Sequence, residues 1–581
     1  MIRTLTFVSL CLAPAALAAQ GRQMPERPVT IVPQPATTFP LKHAPARTRP
    51  AITAADLMTR LYIYADDSMQ GREAGTAGNV RATDYIEREV RRMGLLPAGD
   101  NGTYFQTLPY KTRQTDSAST FTLNGSSATY GQGWVAQSAN SLTLTNAAVV
   151  FAGSLTDTAA GLTAADVRGK VVVLPYPTAR AQQRAFMGRQ AGLDSAAAVI
   201  IIGADEFMGR FTRPVSFVDD TSAAAGPRRG QNNRTAIILD STLAQQLFYQ
   251  PIASLKAGAA GRPISLDLRV ATVPVPFPAR NVVAILPGSD PKLKNEYVAI
   301  GGHNDHIGMR PTAVDHDSLR IFNHIVRPGG AEQGGKQATP EEQAQVNTLL
   351  AAWRAAHPGT ARQDSISNGA DDDGSGTVSV LEIAEKMAAL RHKPKRSTIF
   401  VWHVGEEKGL LGSQYFTDHP TVPRDSIVAQ LNIDMVGRGD AWDVTGTTID
   451  GTPIHGNPNY LQLVGSRRLS TELGDLAEAV DRDGKHGLVF DYSMDANGHP
   501  TNIYCRSDHY SYARYGIPII FFTTGGHSDY HQVTDEPEYI DYDHMARVGN
   551  FIEDLAEHVG NLDHRPVVDH DKPDPHGRCQ Q

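Results

Sequence analysis

The sequence predicts an α/β protein with a doubly wound, largely parallel central sheet, helices on both of its faces, and an inserted β-rich domain. Two observations support this fold class. From residue 281 onward, short apolar runs alternate with segments of helical periodicity, which is typical of parallel strands joined by crossover helices. Between about residues 117 and 275, short β-like runs are separated by Gly, Asp and Ser, which favours a separate β-rich unit.

The apolar runs of the α/β part have the length of buried strands. They lie at 282–286, 298–300, 399–404, 427–433 and 517–522. Helical patterns lie between them, as at 378–390, and a closing helix is expected at 545–559. Ligand sites in such folds lie at the carboxyl ends of the strands, so functional residues are expected there.

The composition restricts the class of protein. A chain of 581 residues is too long for one ordinary domain, so two or three are expected. Apolar residues make up 41% and charged residues 20%, which is typical of a globular protein with sizeable cores. The net charge is -8, so nothing in the composition suggests the basic footprint of a nucleic-acid-binding protein, and no nucleic-acid partner is expected.

The first residues, 1–18, have the pattern of an export signal. Arg3 precedes an apolar run at 5–12, and a small-x-small cleavage motif follows at 16–18. The protein is therefore expected to be secreted or periplasmic. A buried N-terminal helix and a lipid anchor at Cys11 are the weaker alternatives. Because no stretch reaches about 18 apolar residues, no membrane span is expected.

Changes in composition suggest the other boundaries. The expected segments are a poorly ordered linker at 19–52, α/β parts at 53–116 and 276–562, the β-rich domain at 117–275, and a tail at 563–581. A polar insertion at 309–366 interrupts the main α/β part, and one helix is predicted in it by the capping box of Thr339 and Glu342. Insertions of this length are usually lids, binding loops or disordered excursions.

Polar motifs follow the predicted strands at the points where ligand sites are expected. They are Gly302-His303-Asn304-Asp305, Gly369-Ala370-Asp371-Asp372-Asp373-Gly374-Ser375-Gly376, Gly405-Glu406-Glu407 and Asn432-Ile433-Asp434. A fifth motif near the C-terminus contains His527 and His531, either of which could ligate a metal.

Each motif taken alone has an ordinary explanation as a solvated loop, turn or helix start. Three adjacent carboxylates repel each other, however, and are better explained by a bound cation. Paired glutamates at the end of a buried strand are costly without compensating charge. Asp305 lies two residues after His303 and could orient its imidazole toward a metal.

Two cysteines, Cys505 and Cys579, remain after the expected signal is removed. Neither has the spacing of a cysteine-based zinc site, so metal ligands are expected to be His and carboxylates. The two thiols could pair in an oxidising compartment, which the sequence leaves open.

Taken together, the order and residue types of these motifs resemble the co-catalytic dizinc aminopeptidase family. This zinc exopeptidase family also includes glutamate carboxypeptidase, glutaminyl cyclase and the transferrin receptor. The segments at 71–95 and 506–518 add to the likeness, which extends from about residue 55 to 560. The stretch 117–275 resembles the protease-associated domain that some members carry, through residues 166–171.

The resemblance implies a site with two zinc ions (Zn2+). Asp372 would bridge both ions, His303 and Asp434 would complete one, and Glu407 and His531 would complete the other. With three carboxylates and one hydroxide against two divalent ions, the constellation is neutral. The hydroxide between the ions would be the nucleophile, because metal ions lower the pKa of bound water to about 7.

The resemblance also implies further roles. Glu406 would be the general base, Asp305 would support His303, and Tyr530 would help to stabilise the oxyanion. A cis peptide bond is expected between Asp372 and Asp373. The acids and histidines of the insertion, including His316 and His324, are not expected to be ligands.

The function implied is that of a zinc-dependent exopeptidase with a peptide substrate, and an aminopeptidase is favoured. The alternatives are a carboxypeptidase, a single-zinc acyltransferase like glutaminyl cyclase, and a metal-free, receptor-like binding protein. Retention of the complete ligand set argues against the last two. The oligomeric state is not readable from the sequence.

The preference for an aminopeptidase has a physical basis as well. The motifs hold carboxylates beyond the ligands that could bind a substrate ammonium: Asp305, Asp371, Asp373 and Glu406. A carboxypeptidase would need a cationic clamp, and Arg438 and Arg506 lie close enough in sequence to the motifs to supply one.

Overall fold

The structure is a computed structural model of the whole chain. It describes residues 39–581 except 156–161, 178–185, 187–192, 206–207, 221–234, 360 and 578. The expected export signal and the first part of the expected linker lie outside the described residues. The described residues form one compact unit.

The described residues form helices and strands over most of their length. The helices are α1 Ala54–Tyr64, α2 Ala77–Arg92, α3 Ala164–Val167, α4 Met208–Phe211, α5 Ser241–Gln246, α6 His316–Val326, α7 Pro340–Ala356, α8 Gly376–Ala389, α9 Leu411–Asp418, α10 Thr471–Gly484, α11 His509–Ala513 and α12 Tyr542–Asn561. The strands up to residue 274 are β1 Leu96–Pro97, β2 Phe105–Thr107, β3 Tyr110–Thr115, β4 Thr120–Leu123, β5 Ser126–Thr129, β6 Trp134–Gln137, β7 Leu142–Ala147, β8 Val149–Phe151, β9 Val171–Pro175, β10 Ala198–Ile202, β11 Val215–Val218, β12 Ala236–Leu239, β13 Ile264–Leu268 and β14 Val270–Pro274. The later strands are β15 Arg280–Leu286, β16 Tyr297–His303, β17 Met309–Asp315, β18 Gln363–Ile366, β19 Ser397–His403, β20 Ile427–Ile433, β21 Val444–Thr447, β22 Pro453–His455, β23 Tyr460–Val464, β24 Val489–Asp491 and β25 Ile519–Thr523.

The main sheet has its strands in the order β1-β15-β19-β16-β20-β25-β23-β24, with β2 paired to β15. Its centre, β19-β16-β20-β25, is parallel. The flanks are antiparallel where β15 meets β19 and where β23 meets β25. The predicted α/β fold class is confirmed, and its parallel character is concentrated in the central strands.

Apolar side chains of each central strand alternate between the two faces of the sheet. In β19, Phe400 and Trp402 pack under α1, α2, α8 and α12, whereas Ile399 and Val401 pack toward α9 and α11. Because both faces are covered, the strand sequence is apolar without a break. Full burial of each such side chain contributes about 1.5–3 kcal/mol to folding.

The β-rich region contains the strands from β3 to β14, which pair with one another. They form a five-stranded sheet, β6-β12-β10-β9-β8, a four-stranded sheet, β5-β4-β13-β7, and a three-stranded sheet, β11-β3-β14. Two apolar clusters form its cores, one containing Trp134 and one containing Leu174. Asp220 of this region contacts His419, just after α9, at 2.7 Å.

The insertion is an ordered unit attached by the two-stranded ribbon of β17 and β18. The predicted capping box is present, with reciprocal bonds between Thr339 and Glu342 at the start of α7. The prediction of one helix is incomplete, because α6 precedes it. The side chain of Asp315 caps α6 by accepting from the N–H of Ser318 at 3.0 Å.

The segments at the two ends of the described chain contact the α/β part. Residues 39–53 contain no helix or strand, but the Phe39 ring packs edge-on against Tyr542 at 5.3 Å. In the C-terminal tail, Cys579 forms a disulfide with Cys505. The sequence left this pairing open. Among the described residues, the helices are all too short or too polar to traverse a bilayer.

Candidate metal centre and active site

Neighbouring parallel strands bring the polar motifs to one edge of the main sheet. In register, His303 at the end of β16 lies beside His403 at the end of β19, and Gly301 lies beside Asn432 near the end of β20. The motifs at 405–407 and 432–434 therefore start next to His303. Their convergence follows from the parallel pairing of the strands.

A tight turn between β18 and α8 brings the acidic motif to the same edge. Gly369 begins it with φ of +56°, in the left-handed region. The peptide bond between Asp372 and Asp373 is cis, as the resemblance implied. The Asp373 carboxylate fixes the turn, because it accepts hydrogen bonds from the backbone N–H of His303 at 2.9 Å and of Met435 at 3.2 Å.

The first cluster of potential ligands consists of His303, Asp372 and Asp434, all buried. Nε2 of His303 lies 3.1 Å from Oδ1 of Asp372 and 3.6 Å from Oδ1 of Asp434. The other oxygen of Asp434 accepts a hydrogen bond from the Ser507 hydroxyl at 2.6 Å. One potential ligand atom from each of the three residues lies within 4.8 Å of the others.

The second cluster uses the other oxygen of the same aspartate. Nε2 of His531 lies 2.9 Å from Oδ2 of Asp372 and 3.0 Å from Oε2 of Glu407. Asp372 thus presents one carboxylate oxygen to each cluster, as a bridging ligand would. The structure brings together all five residues that the sequence nominated.

A sixth residue, His306, completes the second cluster and was missed by the sequence reasoning. It is fully buried, and its Nδ1 lies 2.8 Å from Oε1 of Glu407. The only signal in the sequence was a second histidine three residues after His303. An isolated histidine in a loop is more often structural, so this signal was weak.

The electrostatics of the two clusters show strong coupling between acids and imidazoles. Burial opposes protonation of His303 and of His531, but the neighbouring carboxylates raise the pKa of both well above the usual value. Burial and the nearby Asp434 raise the pKa of Asp373 well above the ordinary range. Against burial, hydrogen bonds from His303 and His531 hold the pKa of Asp372 well below its usual value. Cations in these positions would compensate the negative charge of buried acids that lie this close together.

The donor set fits zinc ions. Imidazole nitrogens and carboxylate oxygens are ordinary zinc ligands. Among the described residues, Nε2 of His303 and Oε1 of Glu407 are buried without a hydrogen-bond partner. Buried polar atoms of this kind require another partner, and a metal ion supplies one.

Glu406 lies beside the clusters and is half-buried. Burial, together with Asp434 and Glu407, raises the pKa of Glu406 well above its ordinary value. Within the described part of the chain, its carboxylate accepts no hydrogen bond. A half-buried carboxyl group with a raised pKa and no hydrogen-bond donor to its oxygens is suited to exchanging protons.

Asp305 supports the site in a different way from the one expected. Its backbone carbonyl, at 3.1 Å, is nearer to Nδ1 of His303 than its carboxylate, at 3.7 Å. The carboxylate instead accepts hydrogen bonds from the backbone N–H of Gly405 at 2.7 Å and of Glu406 at 3.2 Å. Asp305 therefore links the His303 loop to the loop that carries Glu406.

Tyr530 stacks on the ring of His531, with ring centroids 4.0 Å apart. Burial and the charge of Asp372 raise the pKa of Tyr530 well above its usual value, so the phenol stays protonated. The Tyr530 backbone carbonyl accepts a hydrogen bond from the N–H of Ala331, at 3.1 Å, in the insertion. The insertion therefore borders the site.

Several acids and arginines around the site are engaged in internal contacts, which limits their ability to bind a substrate. Asp371 accepts hydrogen bonds from the N–H of Gly437 at 2.6 Å and from the hydroxyl of Ser375 at 2.8 Å. Arg438 is buried between Asp529, at 2.9 Å, and Asp443, at 3.0 Å. These side chains, like Asp305 and Asp373, have internal hydrogen-bond or ion-pair partners, which makes them less available to a substrate than the sequence suggested.

His527, like the histidines and acids of the insertion, lies outside the two clusters. His527 contacts Asp371 at 3.2 Å rather than a ligand group. His316 lies 3.4 Å from Asp364 and 3.2 Å from the hydroxyl of Tyr539, and His324 lies near the ring of Trp442. His316, Asp364 and Glu536 are close enough to hold an ion, but Arg362 already pairs with Glu536 at 2.9 Å.

An α/β sheet whose strand ends carry adjoining His-carboxylate clusters has the donor groups of a metal-dependent hydrolase. Comparison with known sequences agrees with this class. Residues 355–556 match the sequence profile of Peptidase family M28. The matched segment contains four of the five predicted ligands and Glu406, whereas His303 precedes it. The family resemblance predicted from the sequence is confirmed by this match.

Curated relatives carry aminopeptidase names. Leucine aminopeptidase 1 of Coccidioides posadasii (strain C735) is 33% identical over 207 residues, which cover 32% of this chain and 48% of the relative. A probable leucine aminopeptidase of Trichophyton verrucosum is 28% identical over 278 residues, which cover 44% and 69%. The chain thus spans about half the length of the first curated relatives it matches.

Solved structures are similar at lower identity. An aminopeptidase from Aneurinibacillus sp. strain AM-1 is 18% identical, with a TM-score of 0.47 over 90% of this chain and 97% of that chain. A zinc aminopeptidase from Bacillus subtilis is 16% identical, with a TM-score of 0.47 over 90% and 99%.

Proposed function

We propose that the protein is a zinc-dependent exopeptidase that removes residues from the amino end of peptides. The observation that carries this proposal is the pair of clusters that share Asp372 beside a half-buried, unpartnered Glu406. Such a site can hold two ions close together next to a group that exchanges protons. Two-metal hydrolysis of an amide bond requires these components.

Each residue then has a role that its contacts support. Zinc ions would be held by His303, Asp372 and Asp434 on one side and by Asp372, Glu407 and His531 on the other. When bound, they supply Lewis acidity and make water acidic enough to ionise near pH 7. Glu406 takes a proton from the attacking water and delivers it to the leaving amine. Tyr530, neutral at physiological pH, donates its phenolic hydrogen to the developing oxyanion.

The charged side chains that can still bind one end of a peptide favour cleavage at its amino end. Arg438 is paired with Asp529 and Asp443, and Arg506 is paired with Glu332. Neither guanidinium is therefore free to bind a terminal carboxylate. Glu406 lies beside the clusters, and its carboxylate can accept a hydrogen bond from a substrate ammonium. The leucine aminopeptidase names of the relatives support the same polarity.

A matched set of substrates tests this proposal directly. Purified protein would be assayed with a leucyl chromogenic amide, its N-acetylated counterpart, and a dipeptide with either a free or an amidated C-terminus. We expect cleavage of the free-amine substrates only, with little effect of C-terminal amidation. Equal cleavage of the acetylated amide, or a requirement for a free C-terminal carboxylate, would contradict the aminopeptidase assignment.

Two further features belong to the proposal. The β-rich region is proposed to act as a protease-associated domain that shapes access, supported by its separate cores and by the Asp220–His419 contact near α9. Secretion or export to the periplasm is proposed from residues 1–18, and the disulfide between Cys505 and Cys579 suits an oxidising compartment.

A further inference from the structure

His306 occupies the same kind of position as the predicted histidine ligands. It is fully buried and lies three residues after His303, on the loop that leaves β16. Its Nδ1 lies 2.8 Å from Oε1 of Glu407 and 3.7 Å from Oδ2 of Asp372. It therefore faces one oxygen of each of the two carboxylates in the second cluster.

Neither ring nitrogen of His306 has a hydrogen-bond partner among the described residues. The oxygen nearest to it, Oε1 of Glu407, also has none, because the two atoms are close but poorly oriented for an N–H···O bond. Nε2 of His303, a predicted ligand, shows the same combination of burial, nearby carboxylates and no hydrogen bond. A buried imidazole without partners is costly, and this cost disappears if one nitrogen binds a cation.

The backbone around His306 holds the ring in this place. A Cβ atom added to Gly369 would lie 2.6 Å from Cγ and Cδ2 of His306, so the imidazole packs directly on the glycine. The N–H of His306 also donates to the carbonyl of Arg72, at 3.3 Å. On its other side, the ring meets that of His531 edge-on, with centroids 5.5 Å apart.

From this geometry we infer that His306 is a fourth protein ligand of the ion held by Asp372, Glu407 and His531. The inference deepens the proposed function and rests on its two-zinc site. It makes the two metal positions unequal, with four protein ligands on the Glu407 side and three on the His303 side. Zinc sites with four protein ligands are closed, whereas those with three leave a position for water or substrate.

The test uses variants that separate ligation from hydrogen bonding. In His306→Asn, the amide can still donate to Glu407 but is a poor zinc ligand. In His306→Cys, the thiolate can bind zinc but cannot replace the hydrogen bond. His544→Asn is the matched control, because His544 is also buried and belongs to none of the groups of described residues that could hold an ion. Zn2+ affinity would be measured by competition with a chromogenic chelator, and metal content by elemental analysis.

If His306 is a ligand, His306→Asn loses affinity for one of the two zinc ions by about 100-fold, and His306→Cys recovers part of that loss. The Co2+-loaded Cys variant then shows a thiolate-to-cobalt charge-transfer band, and the control binds zinc like the wild type. X-ray absorption of the wild-type zinc protein should show three imidazoles shared by two ions, a result that does not depend on any variant folding.

Opposite results would overturn the inference. Two imidazoles in the wild-type spectrum, or wild-type zinc affinity in His306→Asn, would show that His306 only orients Glu407 by a hydrogen bond. If the wild-type protein binds two zinc ions without His306 as a ligand, the proposed function still stands. A wild-type protein that binds no zinc would overturn both.

Discussion

The carboxylate of Asp305 holds the backbone of Glu406: its Oδ1 accepts hydrogen bonds from the N–H groups of Gly405, at 2.7 Å, and Glu406, at 3.2 Å. The proposed base is thus positioned by the loop that carries His303. We expect Asp305→Ala to lower kcat by about 10–100-fold while zinc content stays unchanged, because a supporting contact is lost rather than a ligand. Asp305→Asn keeps an oxygen acceptor and should retain most activity. Loss of zinc from the Ala variant would indicate that Asp305 acts mainly on His303.

Replacement of the proposed base should separate chemistry from metal binding. In Glu406→Gln the shape is kept but proton transfer is lost, so kcat should fall by about 10²–10⁴-fold with two zinc ions still bound. Steady-state kinetics and elemental analysis of the same sample test this. Glu73→Gln is the control, because Glu73 lies outside the clusters and pairs with Lys408 at 2.7 Å. Near wild-type kcat in Glu406→Gln would show that another group moves the proton.

Removal of metal should weaken the fold as well as the activity. Without cations, Asp372, Glu407 and Asp434 remain buried close together. A ligand that binds only the folded state stabilises it by about 4.1 kcal/mol at a thousandfold excess over its Kd. We expect chelation to abolish activity and to lower Tm by several degrees, and Zn2+ to restore both. Unchanged Tm in protein verified as metal-free would contradict the structural role.

The pairing of Arg506 with Glu332 should limit which substrates the site accepts. In Glu332→Gln, Arg506 loses its partner and can bind a substrate carboxylate. The kcat/KM ratio of a dipeptide to its C-terminal amide should rise about fivefold, which corresponds to about 1 kcal/mol. Glu341→Gln, also in the insertion and exposed to solvent, should leave the ratio unchanged. An unchanged ratio in Glu332→Gln would show that Arg506 does not face the substrate.

Glu553 on α12 should make stability depend on pH. Burial raises the pKa of Glu553 to about 8, although Lys386 opposes this. The folded state therefore keeps a proton that the unfolded state releases above its own pKa, near 4.3. The stability contributed by this proton is full at acid pH and is lost as pH rises through about 8.

Glu553→Gln should consequently gain stability relative to wild type as pH increases from about 5 to 9. Tm of the zinc-loaded proteins, measured across this range, tests the difference. Asp543→Asn, exposed on the same helix, should run parallel to wild type. A constant Tm difference between Glu553→Gln and wild type would show that Glu553 is already ionised in the folded protein.

Much of the fold could be predicted because the local signals are strong. The runs at 282–286 and 427–433 lie within β15 and β20, and the run at 399–404 overlaps β19 up to its end at residue 403. A strand buried on both faces must be apolar throughout. The start of α7 was readable from Thr339 and Glu342, because a capping box is a local contact. The start of α6 was missed, because its first turn, His316-Asp317-Ser318, is polar and resembles a loop.

The antiparallel flanks of the main sheet could not be predicted in the same way. Pairing of β15 with β19, and of β23 with β25, joins segments that are far apart in sequence. An apolar run carries no information about the direction of its neighbour. Only the packing of the whole sheet sets that direction.

The sequence by itself determined the strands, the order of the acidic and histidine motifs, and hence the residues nominated as ligands. Each of these depends on residue type and local spacing. The tertiary structure decided which of those residues are available. It showed that Asp371, Asp373 and Arg438 are held by internal partners, that Asp305 supports Glu406, and that His306 joins the second cluster. Which group forms a hydrogen bond or ion pair with a polar side chain depends on contacts between segments that are distant in sequence. One sequence does not reveal these contacts.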